Sequence, residues 1–72
     1  MYKCIVVPSA TYAQKGVQVL QAAQIYAFSR KNPGLSRHGC AWCVTVFAEE
    51  LPRVLPLFAQ NGVRTTGEIY DV

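Results

Sequence analysis

A regular alternation of β-rich and helical segments is the feature that most constrains how this sequence folds. β-branched and aromatic residues concentrate in short runs, and residues with helical spacing fill the two longer stretches between them. The pattern predicts strands over residues 2–7, 25–30, 42–47 and 65–72, and helices over residues 9–24 and 49–61. The predicted order of elements is therefore β-α-β-β-α-β.

Turn and capping residues set the predicted boundaries. Asn-Pro-Gly at 32–34 is strong turn chemistry and predicts a loop over residues 31–39. Thr11, followed three residues later by glutamine, fits a capping box, and Gly62 is suited to end the second helix. Pro56 removes an internal hydrogen bond of that helix, so we expect it to kink or shorten the helix.

The order of elements favours a single small α+β domain spanning residues 1–72. It predicts a ferredoxin-like βαββαβ sandwich, a four-stranded antiparallel sheet with two helices on one face. The composition is 51% hydrophobic and 15% charged, which is too apolar for a disordered chain. The other face of the sheet is then open, and we expect Ile5, Val7 and Phe47 to make it apolar enough to favour a homodimer.

Two cysteines three residues apart begin the third predicted strand, within LSRHGCAWCVTV (35–46). Cys40 is predicted to precede the strand. Alternation along the strand places Cys43 toward the open face and Trp42 toward the helices. Both thiols are thus expected within reach of a partner. Cys4 is expected to pack as a small hydrophobe that pairs near the middle of the third strand, roughly 7–10 Å or more from Cys43.

Positive charge concentrates on the half of the chain that holds these thiols. Residues 1–48 carry five basic side chains and no acidic one (+5), whereas residues 49–72 carry four acidic and two basic side chains (−2), which gives the net +3. Arg37 and His38 precede Cys40, and nearby cations favour a thiolate over a thiol. No ribonucleoprotein motif accompanies the basic half, so binding to nucleic acid is disfavoured.

The residues alone leave several roles open for the cysteine pair. A thioredoxin-like disulfide needs the pair at a helix N-terminus, and here the pair opens a strand. Cys40, Cys43 and His38 supply three of the four ligands of a zinc site, and Cu(I) needs only two thiolates. A carrier of sulfur or selenium needs only one exposed nucleophilic cysteine. In the remaining interpretation, the thiols only pack.

Three stretches of the chain carry a family resemblance. They are a helix with small and apolar positions (SATYAQKGVQVLQAAQ), a proline-containing loop that leads to a cysteine and a strand (NPGLSRHGCAWCVTV), and a second helix with a closing strand that begins with glycine (EELPRVLPLFAQNGV and GEIYDV). Along essentially its whole length, the chain resembles a family of small selenium/sulfur carrier proteins. The family cysteine corresponds to Cys40, and Ala41 stands where the family usually has glycine.

The resemblance implies a role in handling selenium or sulfur, near the supply of selenide for selenophosphate synthesis. The leading hypothesis is a non-enzymatic carrier without a cofactor, which holds the atom on Cys40 while Cys43 acts as the resolving thiol or co-ligand. The supporting positions are Arg37, His38, Ala41 and Trp42. Expected partners are a donor such as a cysteine desulfurase or selenocysteine lyase and an acceptor such as selenophosphate synthetase. The alternative is a module that binds Cu(I) or zinc through Cys40, Cys43 and His38.

Several wider classes are disfavoured. The chain has a single histidine, its four acidic residues lie in the second helix or the last strand, and it has no phosphate-binding glycine loop, so we do not expect an ordinary enzyme. No apolar run approaches the roughly 18 residues that a membrane span needs. The first residues run directly into a strand without a signal peptide, so a cytoplasmic location is expected, where thiols stay reduced.

Overall fold

The described residues form a four-stranded antiparallel sheet with two helices packed on one face. The computed structural model describes residues 1–36 and 39–72, and it describes the side chains of residues 1–31 and 42–72. In chain order the elements are β1 (Tyr2–Val7), α1 (Ala10–Ala22), β2 (Ala27–Ser36), β3 (Gly39–Phe47), a 3₁₀ turn (Ala48–Glu50), α2 (Leu51–Gln60) and β4 (Ile69–Asp71). The strand order is β2-β3-β1-β4. The predicted α+β fold with a ferredoxin-like layout is thus confirmed.

The main hydrophobic core lies between the helices and one face of the sheet. Ile5 pairs with Val44 across β1 and β3, and both side chains are buried in this core with Val7. Trp42 packs against the same core, as predicted from the alternation of β3. The prediction that Ile5 and Val7 line the open face is wrong, because the register places them on the helix side. Phe47 does lie on the opposite face, where it contacts Tyr2.

The helix boundaries agree with the sequence in part. α1 is capped by Ser9, whose hydroxyl accepts a hydrogen bond from the Tyr12 backbone N–H at 3.4 Å, so the capping box predicted at Thr11 is wrong. Gly62 follows α2 with φ of 71°. This left-handed conformation is typical of a glycine that ends a helix, as predicted. α2 continues through Pro56 to its end at Gln60.

α1 approaches the sheet and α2 closely at Gly16. A Cβ atom at this position would lie 3.1 Å from Cζ of Phe58 and 3.1 Å from Cγ2 of Val44. Glycine weakens a helix by about 1 kcal/mol relative to alanine. Here the absence of a side chain lets the layers pack, so this glycine has a structural role.

The hairpin of β2 and β3 is longer than the sequence predicts. The predicted loop over residues 31–39 is replaced by the end of β2, which runs to Ser36, and by the start of β3 at Gly39. The turn residues at 32–34 therefore lie within a strand. β2 is at the edge of the sheet, where the missing N–H of Pro33 is tolerated. Cys40 consequently lies inside β3 and does not precede it.

Candidate functional site

The backbone of Cys40 lies beyond the end of β1. The pairing between β1 and β3 ends at Val7 and Trp42. Cys40 lies two residues beyond this pair, toward the connection between β2 and β3. On the other side of β3, the pairing with β2 continues to Gly39. Cys40 therefore lies in the part of the β2–β3 hairpin that extends past the end of β1.

The ladder between β2 and β3 is interrupted opposite Cys40. Ala41 pairs with Asn32, and Gly39 pairs with Ser36, so one residue of β3 faces three residues of β2. Such irregularities end regular pairing, bend the strand and occur often next to active sites. The interruption places Cys40 at a local break in an otherwise regular sheet.

Several predicted site residues can be placed only in part. The backbones of Cys40 and Ala41 are in β3, and their side chains lie outside the described set. Arg37 and His38 lie outside the described residues, so their predicted support of Cys40 stays a prediction. Trp42 is half-buried and packs against the main core.

Cys43 lies on the sheet face opposite the helices, as predicted, but it is completely buried. Its exposed fraction is 0%, and it packs with Cys4, Val6 and the half-buried Tyr70. Val6 of β1 and Arg30 of β2 are its direct cross-strand partners. The expectation that a partner reaches this thiol directly is wrong, because side chains from neighbouring strands cover it.

The conformation of β3 separates the two cysteines of the C-x-x-C pair. At about 3.3 Å per residue, the Cα atoms of Cys40 and Cys43 lie roughly 10 Å apart. Cysteines joined by a disulfide have Cα atoms about 4.4–6.8 Å apart. A resolving attack by Cys43 on cargo held at Cys40 would therefore require β3 to leave its strand conformation.

Cys4 is a buried residue, as predicted. It pairs with Thr45 across β1 and β3, and this pairing places it diagonally opposite Cys43. Diagonal neighbours in an antiparallel pair have Cα atoms roughly 7–8 Å apart, at the lower end of the predicted separation. Both residues are present as thiols. They form a small second cluster with Val6 on the open face, separate from the main core.

The metal alternative stays a prediction. Among the side chains that the structure describes, no group of three or more His, Cys, Asp or Glu residues is placed to hold a metal ion. The proposed ligand set of Cys40, Cys43 and His38 includes two side chains outside that set.

Two exposed cations, Arg30 and Lys31, lie on β2, where they pair with Cys43 and Trp42.

The open face also carries an aromatic cluster that the sequence analysis missed. Among the described side chains, four rings lie together (Tyr2, Tyr26, Phe28 and Phe47). Tyr2 stacks on Phe47, with ring centroids 4.8 Å apart and an interplanar angle of 22°. The pairing of these two residues across β1 and β3 explains the contact. The alternation of Tyr26 and Phe28 within one predicted strand was the available signal, but joining them to Tyr2 and Phe47 required the register to be known.

A surface cleft opens beside the aromatic cluster. Tyr26, Phe47, Glu49 and Glu50 line it, and its volume is about 320 Å³. Tyr26 is 60% exposed. The carboxylate of Glu50 accepts a hydrogen bond from Arg53 at 3.2 Å. The cleft therefore combines aromatic surface with acidic groups at the end of the sheet away from Cys40.

Comparisons of the chain with protein-family models, with curated proteins and with solved structures returned no match. The resemblance to selenium/sulfur carriers thus depends on the sequence motifs alone. Within the described residues, no helix has both the length and the apolar character needed to cross a membrane.

Proposed function

We propose that this protein carries selenium or sulfur on the thiol of Cys40 and delivers the atom to an acceptor protein. The observation that supports the proposal is the backbone at Cys40, which lies on the projecting hairpin where the β2–β3 ladder is interrupted. A carrier must present its cargo to a donor and then to an acceptor. A cysteine at the projecting end of a sheet suits this exchange better than one in the sheet's centre.

Charge around the hairpin supports the same chemistry. Arg30 and Lys31 are exposed on β2, and Arg37 and His38 are close to Cys40 in sequence. Cations near a cysteine favour the nucleophilic thiolate. They also favour the anionic persulfide or perselenide that forms when the thiolate accepts a sulfur or selenium atom.

Loading and delivery are both exchange reactions without net oxidation. The Cys40 thiolate attacks the terminal atom of a persulfide or selenopersulfide on the donor, and a new S–S or S–Se bond forms. The corresponding bond in the donor breaks, and the donor cysteine leaves as a thiolate. In delivery, a thiolate of the acceptor attacks the same terminal atom and Cys40 leaves as a thiolate. A cysteine desulfurase or selenocysteine lyase suits the donor role, and selenophosphate synthetase suits the acceptor role.

The burial of Cys43 favours a carrier with one working thiol. Cys43 is fully buried, and the strand holds its Cα roughly 10 Å from that of Cys40. We therefore assign the cargo to Cys40 alone and a packing role to Cys43. The predicted resolving step is supplied instead by the thiol of the acceptor.

The test is intact-mass spectrometry of the reduced protein after incubation with selenite and glutathione. We expect a mass gain that includes selenium in the wild-type protein and in Cys43→Ser, and none in Cys40→Ser. Cys4→Ser is the matched control for a buried thiol, and far-UV circular dichroism verifies that each variant is folded. An adduct that persists in Cys40→Ser would contradict the proposal.

The same samples test the metal alternative. Copper and zinc are measured by elemental analysis after dialysis with a reductant. A stoichiometric metal that is retained by the wild-type protein and lost from both Cys40→Ser and Cys43→Ser would favour a metal-binding module over the carrier.

A further inference from the structure

We propose that the cleft beside the aromatic cluster binds an organic cation with a methylated ammonium group. The cleft is lined by two aromatic side chains, Tyr26 and Phe47, and by two carboxylates, Glu49 and Glu50. Aromatic faces attract cations through the ring quadrupole, and this arrangement is typical of sites for quaternary ammonium groups. The proposal concerns a second site and does not depend on the chemistry of Cys40.

The two rings of the cleft pack against each other and form one aromatic wall. The centroids of Tyr26 and Phe47 lie 5.8 Å apart, and the ring planes are tilted by 40°. At this distance the rings are in contact, so a cation lies above their shared edge in the cleft, where it can be within about 6 Å of both centroids. The ring of Tyr2 stacks on the ring of Phe47, and the ring centroids of Phe28 and Tyr26 are 6.0 Å apart.

The backbone fixes the acidic side of the cleft to its aromatic side. Phe47 is the last residue of β3, and the 3₁₀ turn that carries both glutamates follows it directly. The Ala48 backbone N–H donates a hydrogen bond to the carbonyl of Met1 at 3.0 Å, so the turn is attached to the start of β1. The backbone that carries the carboxylates is therefore fixed relative to the rings before a ligand binds.

Charge selects the class of ligand. Glu50 already accepts a hydrogen bond from Arg53, and Glu49 contributes an exposed carboxylate. These acids disfavour phosphate groups, so the aromatic cluster does not suit a nucleic acid. A methylated ammonium group spreads its charge over apolar methyl groups, which suit the rings better than a strongly hydrated metal ion does. A volume of about 320 Å³ is at the lower end of the range for small-molecule sites, which suits a small headgroup.

The cleft is well separated from the proposed cargo cysteine. Phe47 is seven residues along β3 from Cys40, which corresponds to roughly 23 Å in an extended strand. Loss of ligand binding in the cleft therefore leaves the carrier chemistry of Cys40 unaffected. The two proposals can fail independently.

The test is a titration of the ¹⁵N-labelled protein, followed by two-dimensional NMR. Choline is compared with 3,3-dimethylbutan-1-ol, which has the same shape without the charge. We expect choline to shift the amide signals of Tyr26, Phe47 and Glu49 with a Kd of roughly a few millimolar, and the neutral alcohol to bind at least about tenfold more weakly. A capped trimethyllysine amide distinguishes the source of the cation. Tighter binding than choline indicates a methylated lysine side chain, and weaker binding indicates a free small molecule.

Substitutions identify the groups responsible. Tyr26→Leu keeps an apolar side chain at an exposed position and is expected to weaken choline binding about tenfold. Glu49→Gln removes one charge and is expected to weaken it about threefold. Glu68→Gln makes the same charge change at the opposite end of the sheet and leaves the affinity unchanged. Equal binding of choline and the alcohol would overturn the proposal, as would unchanged affinity in Tyr26→Leu. Signals of the cleft that shift with protein concentration, but not with choline, would assign the surface to a second copy of the chain.

Discussion

The substitution Gly16→Ala tests how closely α1 is packed against the rest of the molecule. In an exposed helix, this change stabilises a protein by about 1 kcal/mol, because alanine has the higher helix propensity. At Gly16 the added methyl group would lie 3.1 Å from both Phe58 and Val44. Carbon atoms in favourable contact are about 3.5–4.0 Å apart, so both neighbours have to move by roughly 0.4 Å or more.

The energy of that movement decides the sign of the effect. Overpacking a well-formed core typically costs about 1–3 kcal/mol. Phe58 and Val44 are both fully buried or nearly so, and they have little room to retreat. A cost of about 2 kcal/mol against a gain of about 1 kcal/mol leaves a net destabilisation of about 1 kcal/mol. For a domain of this size, we expect the melting temperature to fall by about 4–8 °C.

Urea unfolding, monitored by far-UV circular dichroism, measures the difference in the free energy of unfolding. Gln14→Ala, at an exposed position of the same helix, is the control, and we expect a change of no more than about 0.5 kcal/mol. Gly16→Ala is then repeated in a Phe58→Leu background, where the cost is expected to shrink because the nearest ring atoms are gone. If Gly16→Ala as a single substitution stabilises the protein by about 1 kcal/mol, the packing argument is refuted.

Two further predictions concern single buried or strained positions. In the part of the chain that the structure describes, the hydroxyl oxygen of Thr45 is buried without a hydrogen-bond partner, so we expect Thr45→Val to raise the free energy of unfolding by about 1 kcal/mol. A loss of stability would indicate that the hydroxyl is satisfied in solution. Gly62 has φ of 71°, so we expect Gly62→Ala to lower the melting temperature through a cost of about 1–2 kcal/mol, with Ala59→Gly as a control for changes that only alter helix propensity.

The order of elements was predictable because each segment has a clear local pattern. Apart from Cys43, the run from Trp42 to Phe47 is β-branched and aromatic, and Gly62 marks the end of α2. The length of the β2–β3 hairpin was not predictable in the same way. The Asn-Pro-Gly sequence at 32–34 has strong turn chemistry, yet a position at the edge of the sheet allows these residues to remain in a strand.

The candidate site was predictable only where a single strand determines it. Alternation along β3 was enough to place Cys43 on the open face and Trp42 against the helices. The burial of Cys43 depends on Val6 and Tyr70, which belong to other strands. The cleft beside Phe47 likewise requires residues from distant parts of the chain. Such features follow from register and strand order, which one sequence does not reveal.

The break in the β2–β3 ladder also has a consequence for solubility. A long, regular strand at the border of a sheet offers a row of backbone groups to which another chain can attach, and it promotes aggregation. β2 is ten residues long and lies at such a border. Its irregular segment and Pro33 interrupt that row, so an incoming strand finds only a short length of matching backbone. The irregular segment of β2 opposite Cys40 thereby also discourages unwanted self-assembly.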